Sequence, residues 1–266
     1  MYRARRYKMA RTRWRGVRFG MEKGAWGFAA RAIGYGLLTL VSFGALFPLG
    51  NFKLEKYMAD RSYFGDARFE QGGKWTALYG AAKHVFIGLG VLIAGVAIGG
   101  AAQSEALMGI AVLVGYIWLM VGFVYYRVHS FRYMAENRML GDQITFTATP
   151  TTGEVIKIYI IGALIMAVVV AVLVFIGGLL FGAVMSMAGI GNIGLVGVLG
   201  VVLYLIALVL LGAMALVFIT QPTIAHFITN FTVHNADALN DIQQRAMETG
   251  VDAEGFADAL DIGGAI

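Results

Sequence analysis

Five windows of the chain are almost continuously apolar: Ala32–Leu49, Leu78–Ala102, Ala106–Tyr126, Ile158–Ala183 and Gly194–Ile219. Short stretches rich in basic and aromatic residues separate them. Each window is close to the ~20 apolar residues a helix needs to cross a ~30 Å hydrocarbon core. Backbone polar groups in that core are satisfied only within helices or closed barrels. The windows do not alternate polar and apolar positions as barrel strands do, so they predict helices.

Lys and Arg are concentrated on one side of these windows. Residues 1–31 carry ten of them (Arg3, Arg5, Arg6, Lys8, Arg11, Arg13, Arg15, Arg18, Lys23 and Arg31) against one acidic residue, Glu22, and residues 51–83 carry six more. The connections at Gly99–Glu105 and Met187–Gly194 carry none. Basic residues favour the cytoplasmic side. Windows two and three therefore read as one helical hairpin and windows four and five as another, with tight turns outside and basic connections in the cytoplasm. The first window conflicts with this, because a single crossing would put the basic arm opposite the other basic loops. Either it dips in and returns, with Gly44 and Pro48 as break points, or it crosses against the bias. The expected organisation is a basic cytoplasmic arm (1–31), a membrane domain (32–220) with cytoplasmic loops at 51–77 and 127–157, and an acidic tail (221–266).

Between the apolar windows the chain repeats itself. Tyr57-Met58-Ala59-Asp60 recurs as Tyr133-Met134-Ala135-Glu136, and each is followed, after four intervening residues, by Gly-Asp, at Gly65-Asp66 and Gly141-Asp142. A degenerate third copy places Tyr7, Arg11, Trp14 and Phe19 where Tyr57, Arg61, Phe64 and Phe69 stand. The stretches Trp14–Phe19, Tyr63–Phe69 and Ile144–Thr147 combine aromatic and β-branched residues with Gly-Asp turn signals, which predicts short strands. Such strands could pair into a small cytoplasmic sheet, serving either as a docking surface or as a tie between helical hairpins.

Composition agrees with a membrane protein: 59% hydrophobic and 14% charged residues, with a mean hydropathy of +0.72. The absence of cysteine removes disulfides, thiolate metal sites and cysteine nucleophiles. Residues 1–30 show no short apolar core followed by a small-residue cleavage site, so no cleaved signal peptide is expected.

Candidate chemistry is sparse. The histidines are His84, His129, His226 and His234, with no metal-binding spacing, and no cofactor is expected. His84 beside Lys83 reads as a snorkelling interfacial pair or a proton relay. His226 and His234 would share a face if Thr223–Asn235 were helical. Residues 158–219 contain no Asp, Glu, Lys, Arg or His, which disfavours an ion-coupled pump with its carrier carboxylate there. Small residues at four-residue spacing, namely Gly95 and Gly99, Ala163, Ala167 and Ala171, and Gly178 and Gly182, suggest close helix packing. Gly177-Gly178 could instead form a hinge, and Thr220-Gln221-Pro222 is expected to break the fifth segment. Arg5, Arg6, Arg11, Arg13, Arg15 and Arg18 interleave with aromatic residues. Beside membrane segments that pattern points to anionic phospholipid headgroups rather than nucleic acid. Residues 236–266 hold seven acidic residues against Arg245, with a partly amphipathic pattern through Leu239, Ile242, Met247, Phe256 and Leu260. This tail could be a solvated helix pair, or it could cover the basic arm.

The block Arg11-Thr12-Arg13-Trp14-Arg15-Gly16-Val17-Arg18-Phe19, the Leu-rich run ending in Gly44-Ala45-Leu46-Phe47-Pro48, Tyr63-Phe64-Gly65-Asp66 with Phe69, and Gly255-Phe256-Ala257-Asp258-Ala259-Leu260 resemble the bacterial YjgN-like inner-membrane proteins. That family is known chiefly as a domain of unknown function. The resemblance implies a bacterial inner-membrane location and transfers no catalytic residues. It also implies a further upstream membrane-plus-strand module, so this chain is expected to be a short member or a late start. The expectation is an all-α polytopic membrane protein of about five segments in two helical hairpins, with small cytoplasmic β elements. Functionally it points to a non-enzymatic structural, assembly or lipid-organising protein with a possible protein partner or homo-oligomer, and alternatively to a permease or channel for a small solute.

Overall fold

The computed structural model describes residues 1–188 and 193–245. It forms two compact units, Met1–Thr149 with the chain from Phe231 onward, and Pro150–Asn230. Helices dominate, and among the described residues four are long and apolar enough to cross a membrane: Trp75–Ala101, Glu105–Glu136, Thr152–Ala183 and Gly200–Thr229.

The first unit is organised by a seven-stranded antiparallel sheet in which every strand pairs with its sequence neighbour. Helix α1 (Tyr2–Arg11) leads into β1 (Arg13–Trp14) and β2 (Val17–Met21), and α2 (Ala25–Val41) and α3 (Phe47–Ala59) lead into β3 (Ser62–Phe64) and β4 (Ala67–Gln71). Next come α4 (Leu78–Ala101), α5 (Glu105–Glu136), β5 (Arg138–Leu140) and β6 (Ile144–Ala148), and β7 (Phe231–His234) closes the series. Tight turns join β1 to β2, β3 to β4 and β5 to β6. Helices join β2 to β3, β4 to β5 and β6 to β7. All helical connections therefore leave one end of the sheet, and the β-turns lie at the other. Gly65 opens its two-residue turn at φ +56°, the left-handed start that such hairpins need and that glycine adopts without strain.

The first apolar window forms no long span. Helix α2 has 17 residues, the chain reverses through Ser42–Leu46, and α3 returns against it. Gly44, at φ +86°, and Phe43, at φ +51°, make the reversal, and Phe43 at its tip is 91% exposed. Pro48 stands in the first turn of α3, where its missing N–H costs no bond. Because β2 pairs with β3, both ends of α2–α3 lie at the sheet. This is the dip-and-return alternative expected from Gly44 and Pro48.

Helices α4 and α5 form a close hairpin along a seam of glycines. A Cβ added at Gly88, Gly99, Gly115 or Gly122 would lie 2.8–2.9 Å from the facing helix, and one at Gly95 would lie 2.2 Å from the Ala111 Cβ. The foot of this hairpin packs Leu78, Ala81, Ala82, Val85 and Tyr126 around Phe52 of α3.

One sheet face is apolar: Phe64, Leu140, Ile144 and Phe146 form its buried centre, flanked by Val17, Phe19, Phe69 and Val233. The chain after β7 crosses this face as a strap. A short turn at Ala236–Asn240 lays Leu239 and Ile242 on the core. The strap then exchanges hydrogen bonds with the β3–β4 turn, Asp66 N to Gln243 O at 3.0 Å and Gln243 N to Asp66 Oδ1 at 3.1 Å. Arg15 donates to Asn240 Oδ1 at 2.6 Å and Arg18 N to Gln244 Oε1 at 2.8 Å. The strap thus reaches the basic arm through the side-chain amides of Asn240 and Gln244. Met247, Phe256 and Leu260 of the expected amphipathic tail, and the Gly255–Leu260 block, lie outside the described residues.

In the second unit, α6 (Thr152–Ala188) runs unbroken through Gly177-Gly178, where a hinge was one expectation. Helix α7 (Ile193–Ala215) continues through a π-helical turn, Leu216–Thr220, into α8 (Gln221–Thr229). The expected break at Thr220-Gln221-Pro222 is absorbed this way: Pro222 occupies the first turn of α8, and the wider turn before it accommodates its ring. Asn192, expected in the external turn, lies outside the described residues.

Candidate functional site

Because the helices of the first unit enter and leave through paired strands, polar and aromatic side chains collect where helix feet meet the sheet. At the centre is Glu55 on α3. Its carboxylate accepts from Arg5 of α1 at 3.3 Å and from Arg138 of β5 at 2.9 Å. Arg138 also donates through Nε to the Gln71 side-chain oxygen at 3.0 Å. Gln71 is 1% exposed, and its amide nitrogen donates to the carbonyl of Met134 at 2.9 Å and to that of Asn137 at 3.3 Å. Its backbone N–H is held by Asp60 Oδ1 at 2.8 Å, and its carbonyl accepts from Lys56. A buried amide left unsatisfied costs ~1–3 kcal/mol, so this cluster of partners fixes the register of α1, α3, β4, α5 and β5 together.

Beside this network lies a cavity of about 270 Å³ lined by Glu55, Arg127, Ser130, Met134, Arg138 and Phe231 among others. Ser130 donates its hydroxyl proton to the Arg127 carbonyl at 3.3 Å, a helix bond rather than the pairing of a nucleophile with a base. Two guanidiniums, Arg5 and Arg138, hold the Glu55 carboxylate, and Arg127 lines the cavity beside them.

A second cluster anchors α1. Tyr2 donates to the Glu22 carbonyl at 2.7 Å and packs against Phe28 and Tyr57. Tyr57 donates to the Gly24 carbonyl at 3.1 Å, and its ring carries the guanidiniums of Arg61 at 3.7 Å and Arg31 at 4.6 Å. Burial, reinforced by the neighbouring Tyr57, pushes the Tyr2 hydroxyl from its ordinary value of 10 up to about 12. A raised tyrosine value means that the fold favours the neutral form. The stabilisation is therefore full below pH ~10 and is lost as pH climbs towards about 12. Alkaline titration of amide exchange in α1 is expected to show this loss in the wild type, and Tyr2→Phe to remove that part of the pH dependence while weakening the anchor at neutral pH. Identical alkaline profiles would refute the assignment.

The arginines expected at lipid headgroups are distributed along the sheet. Arg5 pairs with Glu55, and Arg6 sits half-buried one residue on, near the helix feet. Arg11 lies over the Tyr7 ring at 4.7 Å, Arg13 pairs opposite Arg18 across β1 and β2, and Arg15 lies over Trp14 at 4.4 Å. At ~3.3 Å per strand residue the Arg15 turn stands ~20 Å from the end of β2 at Met21. Of the small residues, Gly95 and Gly99 face α5, whereas Ala163, Ala167 and Ala171 are exposed, and a Cβ at Gly178 or Gly182 would meet nothing within 4 Å. Among the described glycines of α6, the one whose added Cβ would meet a neighbour is Gly162, against Ile219.

His226 and His234 do not converge. His226 is on α8 and His234 on β7, so no single helix presents both. His226 accepts from Thr151 N at 3.1 Å, and His234 shares a hydrogen bond of 2.8 Å with the Thr147 hydroxyl. Sequence reasoning missed Glu55, Gln71 and Arg138. The available signal was Glu55 itself, a carboxylate flanked by Lys53 and Lys56 in a basic loop.

Four apolar membrane-length helices, whose first pair rises from a sheet with a cationic junction, define an integral membrane protein. The chain belongs to the family described as "Bacterial protein of unknown function (DUF898)", whose model matches residues 1–152 and thus spans α1 to β6. This is the family of the YjgN-like resemblance. No curated protein matches the chain, and no solved structure does.

Proposed function

We propose that the chain is a multi-pass protein of the bacterial inner membrane with a non-enzymatic role, organising anionic lipid and partner proteins or further copies of itself on a cytoplasmic sheet. The observation that carries this reading is the sequential pairing of β2 with β3, β4 with β5 and β6 with β7. It ties both ends of every helical connection into one hydrogen-bonded ladder, an arrangement suited to a scaffold. The bias of basic residues towards the sheet end supports a cytoplasmic sheet. The recurrent helix, β-hairpin and helical hairpin match the repeated Tyr-Met-Ala-acid and Gly-Asp blocks, and we read them as copies of one module. We assign headgroup contact to Arg5 and Arg6 at the helix feet; of the other arginines, Arg15 stands ~20 Å further along the sheet.

The missing cysteines supply the test. Single cysteines at Ala163, Ala167, Ala171, Gly178 and Gly182 are expected to stay silent towards a small water-soluble thiol reagent in native membranes. A cysteine at Thr145, on the exposed sheet face, should react in inverted vesicles and not in intact cells. Reaction along α6 would indicate an aqueous path and favour a permease, and reaction of Thr145→Cys in intact cells would overturn the orientation.

A further inference from the structure

Beside the glycine seam, a second stripe of α5 borders a groove. Val114, Ile117, Trp118, Val121 and Tyr125 line it from α5, and His84 of α4 completes it, enclosing about 430 Å³. Spacings of three, four, seven and eleven residues put these positions on one helix face. The groove is apolar along its length and polar at one end only. There the His84 ring stands edge-on to Tyr125 at 4.6 Å, and His129 stacks on Tyr125 at 3.7 Å. The Lys83 ammonium lies 5.5 Å over the Tyr125 ring. No described residue hydrogen-bonds to the ring nitrogens of His84, so its polar edge is available to a ligand.

We infer that this groove holds one acyl chain of an anionic phospholipid from the sheet-side leaflet, with the phosphate at Lys83 and His84. The inference rests on the reading that the sheet marks the cytoplasmic side. From Tyr125 to Val114 the groove runs ~17 Å at 1.5 Å per residue, about half of a ~30 Å hydrocarbon core, which is the length of one leaflet's chain. Lys83 is near the foot of α4, where a phosphate lies, and Val114 is at mid-membrane depth, where a chain ends. The cation selects charge: an anionic lipid brings a phosphate with no ammonium of its own, whereas a zwitterionic lipid would set its ammonium against Lys83. The Trp118 and Tyr125 rings give the chain a rigid wall at low ordering cost.

The full-length protein is solubilised in a neutral detergent, stripped of loosely held lipid, and titrated with phosphatidylglycerol or phosphatidylcholine while bound lipid is counted by native mass spectrometry. The wild type is expected to hold one phosphatidylglycerol well beyond the rest and to prefer it over phosphatidylcholine. Lys83→Gln, at an exposed position, is expected to weaken that molecule's retention about fivefold, the effect of one basic residue near a membrane surface. Val121→Trp fills the groove and should abolish retention of that one lipid, with unchanged melting of either variant showing an intact hairpin. Equal retention by the wild type and both variants would overturn the groove site and leave the general lipid-organising reading standing. Absence of any phosphatidylglycerol preference in the wild type would overturn both. Tight retention of phosphatidylcholine, lost in Val121→Trp and indifferent to Lys83→Gln, would make the occupant a neutral lipid and overturn the charge assignment.

Discussion

Gly122→Leu is expected to force α4 and α5 apart. A Cβ at Gly122 would lie 2.8 Å from the His84 carbonyl carbon and 2.9 Å from Val85 N. These are backbone atoms of a continuous helix, so no rotamer change relieves the contact. Overpacking costs ~1–3 kcal/mol, and the upper end applies where backbone must move. Gly90→Leu in α4 is the matched control, because a Cβ there meets nothing within 4 Å. Thermal unfolding in mild detergent should show Gly122→Leu melting several degrees below both the wild type and Gly90→Leu. Gly122→Ala should fall between them. Coincident melting curves for the two leucine variants would refute the seam.

Truncation after Asn235 is expected to uncover the apolar face of the sheet. It removes Leu239 and Ile242 from a core that includes Phe64 and Ile144, together with the hydrogen bonds to Asp66, Arg15 and Arg18. Complete burial of one such aliphatic side chain contributes ~1.5–3 kcal/mol, so two partly buried ones amount to about 2–4 kcal/mol. Local opening of β1 to β4 should follow, read as faster tryptic cleavage at Arg15, Arg18 and Arg68 in the solubilised protein. Leu239→Asp with Ile242→Asp should act in the same direction while keeping the rest of the tail. Cleavage at the wild-type rate in both would show that the strap does not hold the sheet closed.

The long helices were legible because a bilayer imposes a length, and windows two to five meet it with nearly continuous apolar side chains. Strands β1 to β4 and β6 were legible from turn chemistry, since Gly65-Asp66 and Gly141-Asp142 punctuate aromatic and β-branched runs, whereas β5 and β7 were not read as strands. Length alone left the first window open between crossing and returning; its 18 residues take in the end of α2, a reversal at Gly44 and the start of α3, which is the returning alternative. Spacing of small residues was an incomplete guide to packing. The same four-residue pattern occurs in α4 and α6, yet only a facing helix makes a glycine a contact, and the pattern carries no information about what faces it. The Glu55, Gln71 and Arg138 network was out of reach for a similar reason. It depends on β4 lying beside β5, a pairing of residues nearly seventy positions apart across the α4–α5 hairpin.

The strictly sequential order of the ladder bears on how the protein is made. Every strand joins the one synthesised just before it, so the sheet can lengthen as the chain emerges, and each helical connection enters the bilayer before its second foot closes. No strand has to wait for a partner at the far end of the chain, which keeps unpaired edges short-lived during synthesis. Among the described residues the strap is the last element to be made. It crosses back to the β-turns only after β7 is in place, so its docking reports that the seven-stranded ladder has formed.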